Sequence, residues 1–104
     1  MKKICVFTGA ASGINPLYKG AAYQMGQMIG SRGLGLVYGG GKMGLMGAVA
    51  DGVLTANGHV TGIIPQFLDN VEVGHKGVTD LHIIDSMHER KAMMYDMSDA
   101  FVIF

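Results

Sequence analysis

Residues 34–54 read LGLVYGGGKMGLMGAVADGVL. Leu34 to Tyr38 is a short run dominated by apolar residues, and Gly39, Gly40 and Gly41 stop it. Leu45, Met46, Val49, Val53 and Leu54 then recur at the three- and four-residue spacing of a helix face. Asn57 and Gly58 end that helix. A strand that passes through glycines into a helix opens a β-α unit. Backbone without side chains at such a junction lets a phosphate or ribose approach the helix N–H groups.

The pattern extends in both directions. Upstream, Ile4 to Phe7 is a β-rich run ending at Gly9. Asn15 and Pro16 read as an N-cap and a first helical residue. Leu17, Ala21, Met25, Met28 and Ile29 follow at helical spacing, closed by Gly30 and Gly33. Downstream, Val60 to Ile64 is a third strand stopped by Pro65, and residues 66–80 read as a connection. Leu81 to Ile84 is a fourth strand, Ser86 starts a helix running to about Met97, and Ala100 to Phe104 is a fifth strand. Strands alternating with helices imply parallel pairing through right-handed crossovers. The expectation is α/β: a parallel sheet with flanking helices, forming one domain over residues 1–104.

Composition narrows the function classes. Eight basic and eight acidic residues balance, which argues against a nucleic-acid binder. No apolar run approaches the roughly 20 residues of a membrane span. MKKICVFTG has too short an apolar stretch for a signal peptide. The single cysteine, Cys5, rules out an internal disulfide framework and fits a reducing, cytoplasmic compartment. Its place in a strand suggests a buried thiol. The nine methionines mostly sit at helical spacing and read as core filler.

Gly39, Gly41 and Gly44 match G-x-G-x-x-G, a weak signal in a glycine-rich chain. The match follows the second strand instead of the first, and no acidic residue lies near Ile63 to Gln66 to bind a ribose hydroxyl. A phosphate loop of the Walker type is also excluded, because Met43 follows Lys42 and Leu36 occupies the earlier glycine position. Close ligand approach and a plain tight turn both remain open. So do both readings of the small residues Gly9 to Gly13 after the first strand.

Ser86-Met87-His88-Glu89 is a capping box. Arg90 and Lys91 come next, near the positive end of the helix dipole, where a cation costs about 0.3–1 kcal/mol. Sequences tend to break local rules at functional sites. The pair reads either as an anion clamp or as two solvated charges. His59, His75, His82 and His88 are scattered, so no metal site is supported.

CVFTGAASGINPLY, LVYGGGKMGLMGAVAD, VTGIIP, EVGH, SMHERKAMM and SDAFVIF together resemble the LOG (Lonely Guy) family of cytokinin riboside 5′-monophosphate phosphoribohydrolases, once labelled lysine decarboxylase-like. The stretches occur in the family's order and cover essentially the whole chain. The resemblance implies a Rossmann-like fold, a homodimer, and hydrolysis of the base–ribose bond of a nucleoside 5′-monophosphate, either AMP or a cytokinin nucleotide. It implies Arg90 as the catalytic arginine, Glu72 and Lys91 as substrate contacts, and Met87 beside the nucleotide. Gly40 and Gly41 would shape the phosphate and ribose pocket. Neither a metal nor an organic cofactor is implied.

Two departures qualify the match. Ala11 stands where the family commonly has serine, although Ser12 is adjacent. Family members also continue past the SDAFVIF strand into P-G-G-x-G-T-x-x-E, which carries a glycine turn and the catalytic glutamate. The 104 residues stop before it, so the expectation is a domain truncated after the fifth strand, with an exposed apolar edge and no activity by itself. The alternative reading is a non-catalytic nucleotide or molybdenum-cofactor carrier. Amino-acid decarboxylation is disfavoured, because neither Lys42 nor Lys91 has a recognisable pyridoxal phosphate setting.

Overall fold

The computed structural model describes residues 2–7, 16–42, 44–69, 74–75 and 77–103. In chain order the elements are β1 (Lys3–Phe7), α1 (Pro16–Ser31), β2 (Gly35–Tyr38), α2 (Gly44–Thr55), β3 (His59–Pro65), α3 (Gln66–Leu68), β4 (Asp80–Ile84), α4 (Met87–Asp96) and β5 (Ala100–Ile103). The strands form one parallel sheet in the order β4-β3-β2-β1-β5. The chain steps outward from β1 to β4, then returns across the sheet to place β5 beside β1. Successive right-handed crossovers in one direction put α1 and α2 on one face, and the return crossover puts α4 on the other.

The two cores follow this division. Val6, Leu36, Tyr38 and Val60 point into a cluster with Ala22, Ile29, Val49 and Val53 from α1 and α2. Cys5, Val37 and Ile63, alternate residues on the same strands, join Met94 of α4 on the opposite face. Both faces of β2 and most of β3 are therefore buried, which explains their nearly unbroken apolar sequences.

The helix ends have local causes. Gly33 adopts φ 72° after α1, and Leu34 N–H donates to Ile29 O. Asn57 does the same after α2 with φ 60°, and Gly58 N–H donates to Val53 O at 2.8 Å. Both are Schellman closures, in which one left-handed residue lets late carbonyls find donors. Gly30, expected as a terminator, lies inside α1. It is buried against α2, where close packing requires a small residue. The helix pair approaches at backbone distance. A Cβ added to Gly26 would lie 2.1 Å from Val49 O, and one on Gly52 would lie 2.1 Å from Tyr23 O.

Other expectations shift slightly. Pro65 is the last residue of β3 and caps α3, a single turn within the segment read as a connection. Asn15 and Phe104 lie outside the described residues. The edge strand β5 leaves Phe101 and Ile103 exposed, the latter by 86%. Phe101 stacks between Phe7 and Tyr95, at centroid distances of 6.2 and 5.3 Å. No helix among the described residues is long and apolar enough to cross a membrane.

Candidate functional site

The site forms where β1, β2 and β3 reach their carboxyl ends, beneath the first turns of α4. Ser86 is extended (φ −147°, ψ 161°), and its Oγ accepts from Glu89 N–H at 3.2 Å, which starts α4 at Met87. Arg90 and Met94, one turn apart, are the residues α4 buries. Arg90 is only 8% exposed.

Backbone carbonyls compensate that buried charge. Arg90 Nε donates to Ile63 O at 3.0 Å, and Nη2 donates to Gly39 O just beyond β2. Nη1 lies 3.7 Å from Met87 Sδ. Bonds from a cation to carbonyl dipoles offset the cost of removing it from water. The guanidinium thus joins α4 to the ends of two strands and is held in one orientation. A Cβ at Gly39 would lie 2.1 Å from Nη2, so a larger residue there would push the guanidinium aside.

The rest of the glycine turn is equally committed. Gly40 has φ 82°, the left-handed region that glycine adopts without strain. Its carbonyl accepts from His75 N–H at 2.9 Å. Gly41 pairs with Gly74 in an isolated antiparallel bridge, and its carbonyl accepts from the Tyr38 hydroxyl at 2.8 Å. Burial, then the negative charge of Asp51, pushes the Tyr38 phenol well above its usual value.

Between α4 and the strand ends lies a cavity of about 150 Å³. Val6 and Phe7 of β1, Gly39 and Met46 form one side. Met87, Arg90, Lys91 and Met94 of α4 form the other. Pockets for whole small ligands usually run to about 300–1,000 Å³, so this cleft takes part of one. Its walls are mostly thioether and phenyl surface, with cationic groups at Arg90 and Lys91.

Sequence reading named six site residues, and the structure brings three of them to the cleft: Met87, Arg90 and Lys91. Gly40 and Gly41 are buried in the adjoining turn, where Gly39, noted as the first glycine of the G-x-G-x-x-G match but not among those six, faces the cavity. Glu72 lies outside the described residues. The paired-cation reading divides. Lys91 is exposed, whereas Arg90 is no solvated surface charge. The core-filler reading of the methionines also divides, because Met46, Met87 and Met94 line the cleft and Met28 is 54% exposed. His75, read as one of several scattered histidines, is buried and bonded to Asp51. It lies in the EVGH stretch that carries part of the resemblance, but no spacing in the sequence marks it as a partner of Asp51.

A parallel α/β sheet with a glycine turn and a fixed cation at the strand ends defines the class: a Rossmann-like domain. Known proteins narrow it. A family model described as "Possible lysine decarboxylase" matches residues 46–104, more than half of the chain. The chain belongs to that family, the LOG family of the sequence resemblance.

It is 46% identical over 101 residues to a probable cytokinin riboside 5′-monophosphate phosphoribohydrolase of Oryza sativa subsp. japonica, covering 97% of this chain and 44% of that protein. It is 42% identical over 102 residues to the cytokinin riboside 5′-monophosphate phosphoribohydrolase of Rhodococcoides fascians, covering 97% and 52%. The chain therefore spans about half the length of the curated relatives it matches. Among solved structures, the molybdenum cofactor binding protein of Rippkaea orientalis superposes with a TM-score of 0.81 at 24% identity, covering 98% of this chain and 61% of that one. The molybdenum cofactor carrier protein of Chlamydomonas reinhardtii superposes at 0.82 with 20% identity, covering 98% and 61%. At those identities the likeness is one of fold.

Proposed function

We propose that the protein carrying this chain hydrolyses the N-glycosidic bond of a nucleoside 5′-monophosphate, AMP or a cytokinin riboside monophosphate, to the free base and ribose 5-phosphate. The observation that carries this reading is the buried Arg90 guanidinium, fixed by Gly39 O and Ile63 O at a cleft beside a glycine turn. The curated relatives named above, at 42–46% identity, support the reaction type.

The chemistry assigns the charges. As the base departs, positive charge develops on the ribose, and a cation held next to it would oppose the reaction. The cations therefore belong on the 5′-phosphate and on the base as it takes up the bonding electrons. Binding energy from the phosphate, remote from the breaking bond, holds the sugar in place. Arg90 is pre-oriented for this by its carbonyl partners, and Lys91 adds a mobile charge at the cleft. By the sequence resemblance, Glu72 contacts the substrate. The thioethers of Met46, Met87 and Met94 give an apolar, polarisable wall for a planar base. The reading includes a cytoplasmic homodimer that needs neither metal nor organic cofactor.

Adenine release from AMP, followed chromatographically in the protein that carries this chain, tests the reading. Arg90→Ala lowers turnover about a hundredfold or more, the scale of lost transition-state electrostatics. Lys91 is exposed, so Lys91→Ala leaves the fold intact and weakens AMP binding about tenfold, as for one charge-assisted contact. Turnover unchanged in Arg90→Ala would leave the arginine a purely structural role. AMP binding without any adenine release would move the protein to the carrier reading.

A further inference from the structure

One buried titratable side chain makes a set of bonds that the proposed chemistry does not use. His75 is 8% exposed. Its Nδ1 accepts from Gly77 N–H at 3.0 Å, so that nitrogen carries no proton. The proton of the neutral ring then sits on Nε2, which donates to Asp51 Oδ1 at 2.6 Å. The hydrogen-bond network assigns this tautomer. The ring reaches sideways to α2, while the main chain of the same residue reaches the glycine turn. His75 N–H donates to Gly40 O at 2.9 Å, and the preceding Gly74 pairs with Gly41. Gly74 N–H also donates to Asp69 Oδ1 at 3.0 Å, which ties the segment to the end of α3.

We propose that His75, clamped by Asp51, is a positioning residue that splints its own backbone and that of Gly74 against the Gly39–Gly41 turn. The turn is short and lacks side chains, so it cannot hold its own conformation by packing. Its geometry matters because Gly39 O fixes the Arg90 guanidinium. Histidine in this tautomer can bridge the two sides, since one nitrogen accepts from the segment's own backbone while the other donates to a carboxylate on a rigid helix. Lysine or arginine could reach Asp51 but offers no acceptor to Gly77 N–H. The splint also anchors the chain two residues after Glu72 in sequence. The link to nucleotide binding rests on the function proposed above. The splint itself rests on geometry alone.

Asp51 gives the cleanest test. Its side chain is 53% exposed on α2, so Asp51→Ala removes the carboxylate without opening the core. Asp51→Asn keeps an oxygen to accept from Nε2–H. Imidazole and amide ¹⁵N spectra of the protein that carries this chain, with AMP titrations, are recorded for the parent and both variants. The expected parent signature is a neutral ring with the proton on Nε2. Asp51→Ala shifts the amides of Gly40, Gly41 and Gly74, leaves those of the β1–β5 pair in place, and weakens AMP binding about tenfold. Asp51→Asn restores both readouts toward the parent.

A parent ring protonated on Nδ1 overturns the proposal, as do glycine amides that stay put in Asp51→Ala. If the parent fails to bind AMP, the proposed function falls. The glycine amides then still decide the splint, supporting it if they move and removing it if they do not.

Discussion

Arg90 was visible in the sequence as an anomaly, a cation in the first turn of a helix, but its burial was not. The partners that hold it, Ile63 O and Gly39 O, come from residues 27 and 51 positions away and are backbone atoms, which leave no mark on side-chain pattern. Gly39 carries the complementary constraint. In Gly39→Ala the new methyl would lie 2.1 Å from Arg90 Nη2 and displace the guanidinium from its carbonyl. We expect a loss of about 1–3 kcal/mol in urea unfolding, the usual cost of overpacking. The double variant with Arg90→Ala should cost less than the sum of the singles, because the methyl then has nothing to strike. Strict additivity would place the clash elsewhere. Thr61 shows the opposite case. It is fully buried on β3, and its Oγ1 has no hydrogen-bond partner among the described residues. Thr61→Val keeps the shape and removes an orphaned hydroxyl, so the urea midpoint should rise by the equivalent of about 1 kcal/mol. A fall would reveal a partner for the hydroxyl in solution.

At the scale of elements, every strand and the three long helices were legible, because period and punctuation agree. Gly33 and Asn57 each sit at a left-handed position that closes a helix, and both signals were read from residue type. Gly30 misled because a glycine near a helix end resembles a stop, whereas this one serves a neighbouring helix. The short α3 and the Gly41–Gly74 bridge were not legible, since one turn and one residue pair carry no periodicity. The α1–α2 contact yields a paired prediction from one type of substitution. Gly52→Ala gains helix propensity of about 1 kcal/mol, yet its methyl meets Tyr23 O at 2.1 Å, a backbone atom that cannot rotate away. The helices must separate, at a net cost of about 1–3 kcal/mol. Gly20→Ala, on the exposed side of α1, has nothing within 4 Å and should stabilise by about 0.5–1 kcal/mol. Thermal midpoints moving in opposite directions would confirm that helix contact, and not propensity, selects glycine at position 52. A shared direction would refute it.

Across the whole molecule, the two faces of the sheet each bury a group that is neutral when protonated, and this sets how stability responds to alkali. Cys5 lies in the core beneath α4, and burial raises its thiol above the ordinary 9.0, partly opposed by a hydrogen bond with Ser98. Tyr38 lies in the core beneath α1 and α2, its phenol raised above the ordinary 10.0 by burial and by Asp51. In both cases the folded chain keeps a proton that the unfolded chain releases first. The sign is therefore fixed: where the folded state binds more protons, unfolding free energy falls as pH rises. The stabilisation is fully present below the unfolded values and is lost above them. Urea midpoints should hold level up to about pH 9, then decline as the Cys5 window opens and more steeply beyond about pH 10. Each group can contribute a slope of at most about 1.4 kcal/mol per pH unit. Removing one group at a time separates the two faces. Cys5→Ala should delay the onset of the decline. Tyr38→Phe should flatten its upper part, while lowering stability at neutral pH because the bond to Gly41 O is lost. A Tyr38→Phe chain whose midpoint falls as steeply as the parent's above about pH 10 would mean that the phenol already reaches water in the native state. The glycine turn it supports would then be open at its base.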